Sequence, residues 1–143
     1  MIERGETAAP DEAALVAEAT AALAHAYAPY SRFPVAAALR ARAGRVYRGA
    51  NVENASLGLS ICAERSAIFA AVAAGERAFD AIAIVSKAPE PTPPCGACRQ
   101  VLLEFGADDV VVLLATVQKP GHIDRHTLGA LTPQAFRHFE PGA

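Results

Sequence analysis

Residues 81–115 run AIAIVSKAPEPTPPCGACRQVLLEFGADDVVVLLA, and the order of patterns inside them decides the fold class. AIAIVS is a short apolar strand, GACRQVLLEFG has helical spacing and closes at Gly106, and DVVVLLA is apolar from Val110 to Ala115. A strand with no polar alternation is of the kind buried on both faces, as in a sheet covered by helices on each side. Strand, helix, strand is therefore the central unit.

Working outward from that unit, residues 62–74 predict a helix with Ile68, Phe69 and Val72 as core candidates and Gly75 at its C-terminal stop. Before it, PVAAALRARAGRVYRGANVE (34–53) predicts two strands joined at Ala43-Gly44, with Val35, Val46 and Tyr47 as strand formers. Residues 11–27 place Leu15, Ala19, Ala22, Leu23, Ala26 and Tyr27 on one helical face, begin with Asp11 and Glu12, and end at Pro29. Downstream, a short strand is expected near His122–Arg125 and a helical turn around Pro133–His138. The order predicts a three-layer α/β/α domain around a mixed, largely parallel sheet of about five strands, opened by an N-terminal antiparallel hairpin. With no repeat and no composition break, residues 1–143 are expected to form one domain, with disorder confined to the ends and residues 1–10 above all.

Composition narrows the function classes. The chain is 52% hydrophobic and 20% charged, with a formal net charge of -2 and a pI near 6.1, and its Lys and Arg are scattered. A protein that tracks a nucleic-acid backbone needs a basic stripe, so no nucleic-acid partner is expected. The N-terminus MIERGETAAPDEAAL has no apolar h-region, and no run of 18 apolar residues exists, so no membrane partner is expected. These features point to the cytoplasm, where the three cysteines stay reduced and free to act as ligands or nucleophiles.

Cys95 and Cys98 form a C-x-x-C at the start of one predicted helix, and Cys62 begins another in SICAERSAIFAA (60–71). Helix N-termini favour thiolates, the metal-binding form. Three thiolates make a zinc site with one position unfilled. Glu64, two residues after Cys62, is then a carboxylate beside a metal rather than a solvated residue of a first helical turn. Two plainer readings compete. A redox C-x-x-C leaves Cys62 and Glu64 without a purpose, and closure of a structural site by His25, His122, His126 or His138 needs a histidine distant in sequence from every cysteine.

CAE followed by PCGAC resembles the signature of the zinc deaminases. AYAPYSRFPV, GANVENAS, CAERSAI, PCGACRQVL and LTPQAF resemble, in the same order and spacing, the motifs of the small homotetrameric cytidine deaminases, and cover residues 26–136. The resemblance implies the cytidine deaminase-like fold, one zinc per chain on Cys62, Cys95 and Cys98 with water as fourth ligand, and Glu64 as proton shuttle. It further implies that Asn51 and Glu53 bind the ribose 3′-hydroxyl, that Phe33 packs on the base, that the backbone at Ala63 meets the base carbonyl, and that Phe136 closes the pocket. Arg65 matches a position that donates to thiolate sulfur; for Arg99 the same role is inferred from its place after Cys98.

The implied activity is hydrolytic deamination of cytidine and 2′-deoxycytidine to the uridine nucleosides, a step of pyrimidine salvage, by a homotetramer. Alternatives are a deaminase for a modified cytosine nucleoside or a blasticidin-like antibiotic, and a non-catalytic zinc-binding scaffold. Intact Glu64 argues against the scaffold. Two positions depart from the resembled pattern. Leu57 stands where relatives carry Tyr or Phe in a site shared between subunits, and Ala36 stands where they carry Gly, so these two bear on sugar or base preference.

Overall fold

The computed structural model describes residues 3–4, 9–137 and 139. A two-residue strand β1 (Glu3–Arg4) precedes helix α1 (Pro10–Ala22), which continues as a 3-10 turn over Leu23–His25. The hairpin is β2 (Val35–Ala41) and β3 (Val46–Ala50), followed by helix α2 (Ala63–Ala73). Strand β4 (Phe79–Ser86), helix α3 (Gly96–Phe105) and strand β5 (Val111–Thr116) form the central unit, and β6 (Asp124–Thr127) and α4 (Leu128–Leu131) follow. The sheet order is β1-β6-β5-β4-β2-β3.

Hairpin pairing puts Leu39 opposite Tyr47, and Gly44 turns the chain at φ +102°, a conformation that only glycine adopts cheaply. Alternation then sorts the strands between two cores. Ala37, Leu39, Ile82, Ile84, Val112 and Leu114 pack with Ala67, Ile68 and Leu102 of α2 and α3. Ala36, Ala38, Ala83, Val85, Leu113 and Ala115 pack with Leu15, Ala19 and Ala22 of α1. The three layers and the mixed sheet are as expected, and β5 is buried on both faces. Leu39, Ile68, Ile82, Ile84, Leu102, Leu113 and Leu128 are fully buried. Each such side chain contributes about 1.5–3 kcal/mol of transfer free energy, before the entropy of ordering it.

The sheet is less parallel than the alternation of elements implies. Among the strands of the described residues only β4 and β5 pair in parallel, because there α3 alone links two neighbouring strands; α2 leads from β3 to β4, which pairs antiparallel with β2. The first helix ends earlier than Pro29. Ala26 turns extended, and Tyr27 bridges to Val52, its N–H donating to Asn51 O and its carbonyl accepting from Glu53 N–H. Phe69 is 50% exposed rather than core, because α2 buries Ala63, Glu64, Ala67, Ile68 and Ala71 and Phe69 points off that stripe.

The short strand in the tail is present, two residues later than expected, and the helical turn lies before Pro133 rather than after it. Thr127 Oγ1 caps α4 by accepting from Ala130 N–H, while Thr132, ahead of the proline, leaves the helical region. His138, at the end of the expected turn, lies outside the described residues, as do residues 1, 2 and 5–8 of the N-terminal segment.

One close approach sets the position of α2. A Cβ on Gly49 of β3 would fall 2.4 Å from Ala67 N and 2.5 Å from Ala63 O. The bare backbone of β3 thus seats the first turns of α2 against the sheet. That is the helix end at which Cys62 and Glu64 stand.

Candidate active site

Cys62 is the N-cap of α2, Cys95 is the N-cap of α3, and Cys98 lies in the first turn of α3. Neither cap residue makes a side-chain capping bond, so both helices direct unpaired N–H groups and a positive dipole end at the sulfurs. The helices pack against each other on one face of the sheet, and this brings all three Sγ atoms within 4.8 Å of one another. Cys98 is buried, Cys62 half-buried and Cys95 exposed.

The donor set fits zinc: three soft thiol ligands and, among the described residues, no fourth, which leaves a position for water. Among the described residues no histidine joins the cluster, and His122 is held by Asp124 at 2.9 Å, so closure by His25, His122 or His126 is not seen. His138 lies outside the described residues. The electrostatics favour negative sulfur at Cys62. The Cys98 thiol beside Cys62, and then the Arg65 guanidinium, bring the Cys62 thiol down to about 5. Cys98, paired to Cys62 and desolvated, moves up.

Arg65 donates through Nη2 to Cys62 Sγ at 3.3 Å, and its Nε–H is buried without a protein partner among the described residues. Arg99 does not do the same. Its Nε–H donates to Pro94 O at 2.8 Å and its Nη1 to Leu131 O at 2.7 Å, so it ties the loop before Cys95 to α4 instead of touching sulfur. The next residue, Gln100, donates to Phe136 O. Being adjacent to Cys98 in sequence does not aim a side chain at the metal, because successive helical residues diverge by about 100°.

Glu64 is 5% exposed and lies 3.3 Å from Cys98 Sγ, which donates to its Oε2. Burial pushes its carboxyl upward from the usual range. Desolvation of this kind favours the protonated carboxyl over the carboxylate.

Glu64 shares a cavity of about 270 Å³ with Cys62, Ala63 and Cys95 and with Phe33, Asn51 and Glu53. Ser31, Val35, Thr92 and Pro93 complete the lining; the sequence pattern gave no reason to choose these four. Asn51 Oδ1 accepts from Val35 N–H and its Nδ2 donates to Phe33 O, which clamps the segment carrying Phe33. Glu53 receives Tyr30 N–H and Ser31 N–H on Oε1 and the Ser31 hydroxyl on Oε2, and these bonds, the hydroxyl's foremost, hold its carboxyl below the ordinary range.

Two residues named with the site lie apart from it. Phe136 is 66% exposed and Leu57 is 70% exposed, and neither lines the cavity. Ala36 also stays out of it, its methyl group buried in the core beneath α1. A larger groove of about 650 Å³ runs between α1 and the loop after β5, remote from the thiols, with mainly apolar lining such as Val16, Ala115 and Ile123.

The family model for the cytidine and deoxycytidylate deaminase zinc-binding region matches residues 10–114, a span that contains all three thiols and Glu64. A cytidine deaminase of Halalkalibacterium halodurans is 50% identical over 126 residues, covering 88% of this chain and 94% of that protein. The crystal structure of cytidine deaminase from Burkholderia pseudomallei superposes with a TM-score of 0.82 at 50% identity, over 87% of this chain and 98% of that one. The Mycobacterium tuberculosis cytidine deaminase structure gives a TM-score of 0.77 at 41% identity, over 90% and 98%. A thiol cluster that fits zinc, a buried glutamate beside it and this agreement along most of the chain have one common source: the protein belongs to the cytidine and deoxycytidylate deaminase family.

Proposed function

We propose that residues 1–143 form one deaminase domain that hydrolyses cytidine and 2′-deoxycytidine to uridine and 2′-deoxyuridine, releasing ammonia. The observation that carries this reading is the buried Glu64 carboxyl beside three clustered thiols, in one cavity with Phe33, Asn51 and Glu53. At about 270 Å³ the cavity is near the small end of ligand pockets, which suits a nucleoside better than a longer chain.

Cys62, Cys95 and Cys98 hold the metal. Zinc held there would supply Lewis acidity, lowering the pKa of water toward neutrality. Glu64 takes one proton of water as the water oxygen bonds to C4 and delivers it to ring N3; it then takes the remaining proton of the new C4 hydroxyl and gives it to the departing amine. The C4–N bond breaks, the C4 carbonyl forms and ammonia leaves. Arg65 draws charge from Cys62 and so offsets the net negative charge that three thiolates place on a dication. Ala63, first residue of α2, presents a backbone N–H with no intrahelical acceptor, suited to the base carbonyl. Phe33 lies along the base.

Glu53 gives the sugar reading its chemistry. A carboxylate has about four acceptor positions. Three are taken by Tyr30 and Ser31, which leaves one for a hydroxyl donor and a negative charge that repels a phosphate placed nearby. Purified protein incubated with cytidine, 2′-deoxycytidine, cytosine and CMP should release ammonia from the two nucleosides fastest. CMP turning over faster than cytidine contradicts the sugar assignment.

Leu57, Leu59 and Phe69 are large apolar residues left exposed on α2 and just before it, and Phe136 is exposed as well. These support a homotetramer of D2 symmetry in which Leu57 helps to complete a neighbouring site. Leu57→Tyr should then change KM for nucleosides more than kcat, since it alters contact with substrate and not the proton transfers. A fully active monomer, or a Leu57 variant with normal KM and collapsed kcat, counts against this. Thiols kept as ligands need a reducing compartment, which supports a cytoplasmic location.

A further inference from the structure

Ser31 is bonded on both sides within the cavity wall. Its Oγ–H donates to Glu53 Oε2 at 2.5 Å, its N–H donates to Glu53 Oε1 at 3.0 Å, and its Oγ accepts from Phe33 N–H at 3.0 Å. One hydroxyl thus joins the Glu53 carboxylate to the backbone of Phe33. All three residues line the cavity that contains Cys62 and Glu64.

The backbone between them is shaped for this contact. Arg32 sits at φ 55°, in the left-handed region that a non-glycine residue occupies at a cost. Arg32 N–H is engaged by Ala28 O, and the turn brings Phe33 N–H back to the side chain two residues earlier. Strain of this kind persists where surrounding bonds over-determine it. Here those bonds are the Asn51 amide, which holds Phe33 O and Val35 N–H, and the Glu53 carboxylate, which holds Tyr30 and Ser31.

We propose that Ser31 is a positioning residue for sugar recognition, its hydroxyl fixing the rotamer of Glu53 and leaving one acceptor position of that carboxylate for the 3′-hydroxyl of the nucleoside. The inference rests on the reading of Glu53 as the group that meets the sugar. Without the Oγ–H, the carboxylate keeps its two N–H bonds on Oε1 but loses the bond that stops Oε2 from turning away. Because the same oxygen accepts Phe33 N–H, the sugar contact and the Phe33 wall are set in one register. A ligand lacking the 3′-hydroxyl keeps the Phe33 wall and loses only the contact with Glu53, and the test uses that difference.

The experiment compares cytidine with 3′-deoxycytidine in the zinc-loaded wild type and in Ser31→Ala, Ser31→Thr and Glu53→Gln, each checked for zinc content. Hydrogen bonds to charged groups are worth about ten- to a hundredfold, so Ser31→Ala should raise KM for cytidine by about tenfold or more. Freeing Phe33 N–H affects both substrates alike, so KM for cytidine should rise about tenfold more than KM for 3′-deoxycytidine, and Ser31→Thr, which restores a hydroxyl, should recover most of that difference. Should the alanine variant fail to fold, Ser31→Cys keeps the volume with a weak donor and is expected to behave in the same way. Equal losses on both substrates would mean that Ser31 is only structural, and would overturn the inference. If Glu53→Gln abolishes the preference for the 3′-hydroxyl while Ser31→Ala preserves it, the inference fails and the sugar reading stands. If Glu53→Gln leaves that preference intact, the sugar reading itself fails and takes the inference with it.

Discussion

Glu64→Gln keeps its zinc and loses about 10² to 10⁴ in kcat, the usual cost of removing a general acid-base group. The amide has nearly the shape of the carboxyl and still occupies the buried position next to Cys98. It accepts a hydrogen bond through its oxygen, but it neither takes the proton of water nor returns one to the amine. Burial, which raises the Glu64 carboxyl, also makes the neutral amide an undemanding replacement, so the variant should fold at least as well as wild type. Metal content measured beside single-turnover kinetics separates the two effects. Full activity in the variant assigns proton transfer to another group, whereas loss of zinc makes Glu64 part of the metal's support.

Gly49→Ala is expected to have the largest effect on stability. Its methyl carbon would lie 2.4 Å from Ala67 N and 2.5 Å from Ala63 O, both backbone atoms of a helix that cannot yield by changing a rotamer. Overpacking a tight site costs typically 1–3 kcal/mol, and two backbone collisions place this substitution at about 3 kcal/mol or above. The strain falls on the end of α2 that presents Cys62 and Glu64, so zinc should also bind more weakly. Gly96→Ala is the control, because nothing lies within 4 Å of the added carbon, and its stability should stay within about 1 kcal/mol of wild type. Denaturant unfolding of both zinc-loaded variants checks this; equal midpoints would mean that β3 does not seat α2.

Local signals in the sequence located the elements well where periodicity or a turn residue spoke directly. Gly44 marked the hairpin turn, the unbroken apolar run at 110–115 marked a strand buried on both faces, and the helix starts at Cys62 and Cys95 placed the thiols together. Long-range backbone pairing had no such signal. The bridge from Tyr27 to Val52 ends the first helix early, and nothing in AHAYAP shows that an extended partner waits 25 residues downstream.

Side chains that bond to backbone were equally hidden. Arg99 reaches Pro94 and Leu131, and Ser31 reaches Glu53, because the fold places those partners there rather than because of any spacing. The parallel character of the sheet was overstated for a related reason: alternation of helices and strands does not say which strands become neighbours. The roles of Phe136 and Leu57 came from resemblance alone, and both side chains lie exposed, outside the cavity of this chain.

The most direct test of the account is ammonia release from cytidine by the purified, reduced protein before and after its metal is removed with a chelator, followed by return of zinc. The account predicts one zinc per chain, steady release of ammonia with uridine as product, loss of release in the stripped protein and recovery with zinc. Protein that holds one zinc per chain and releases no ammonia from cytidine, or that releases it unchanged when stripped, contradicts the account.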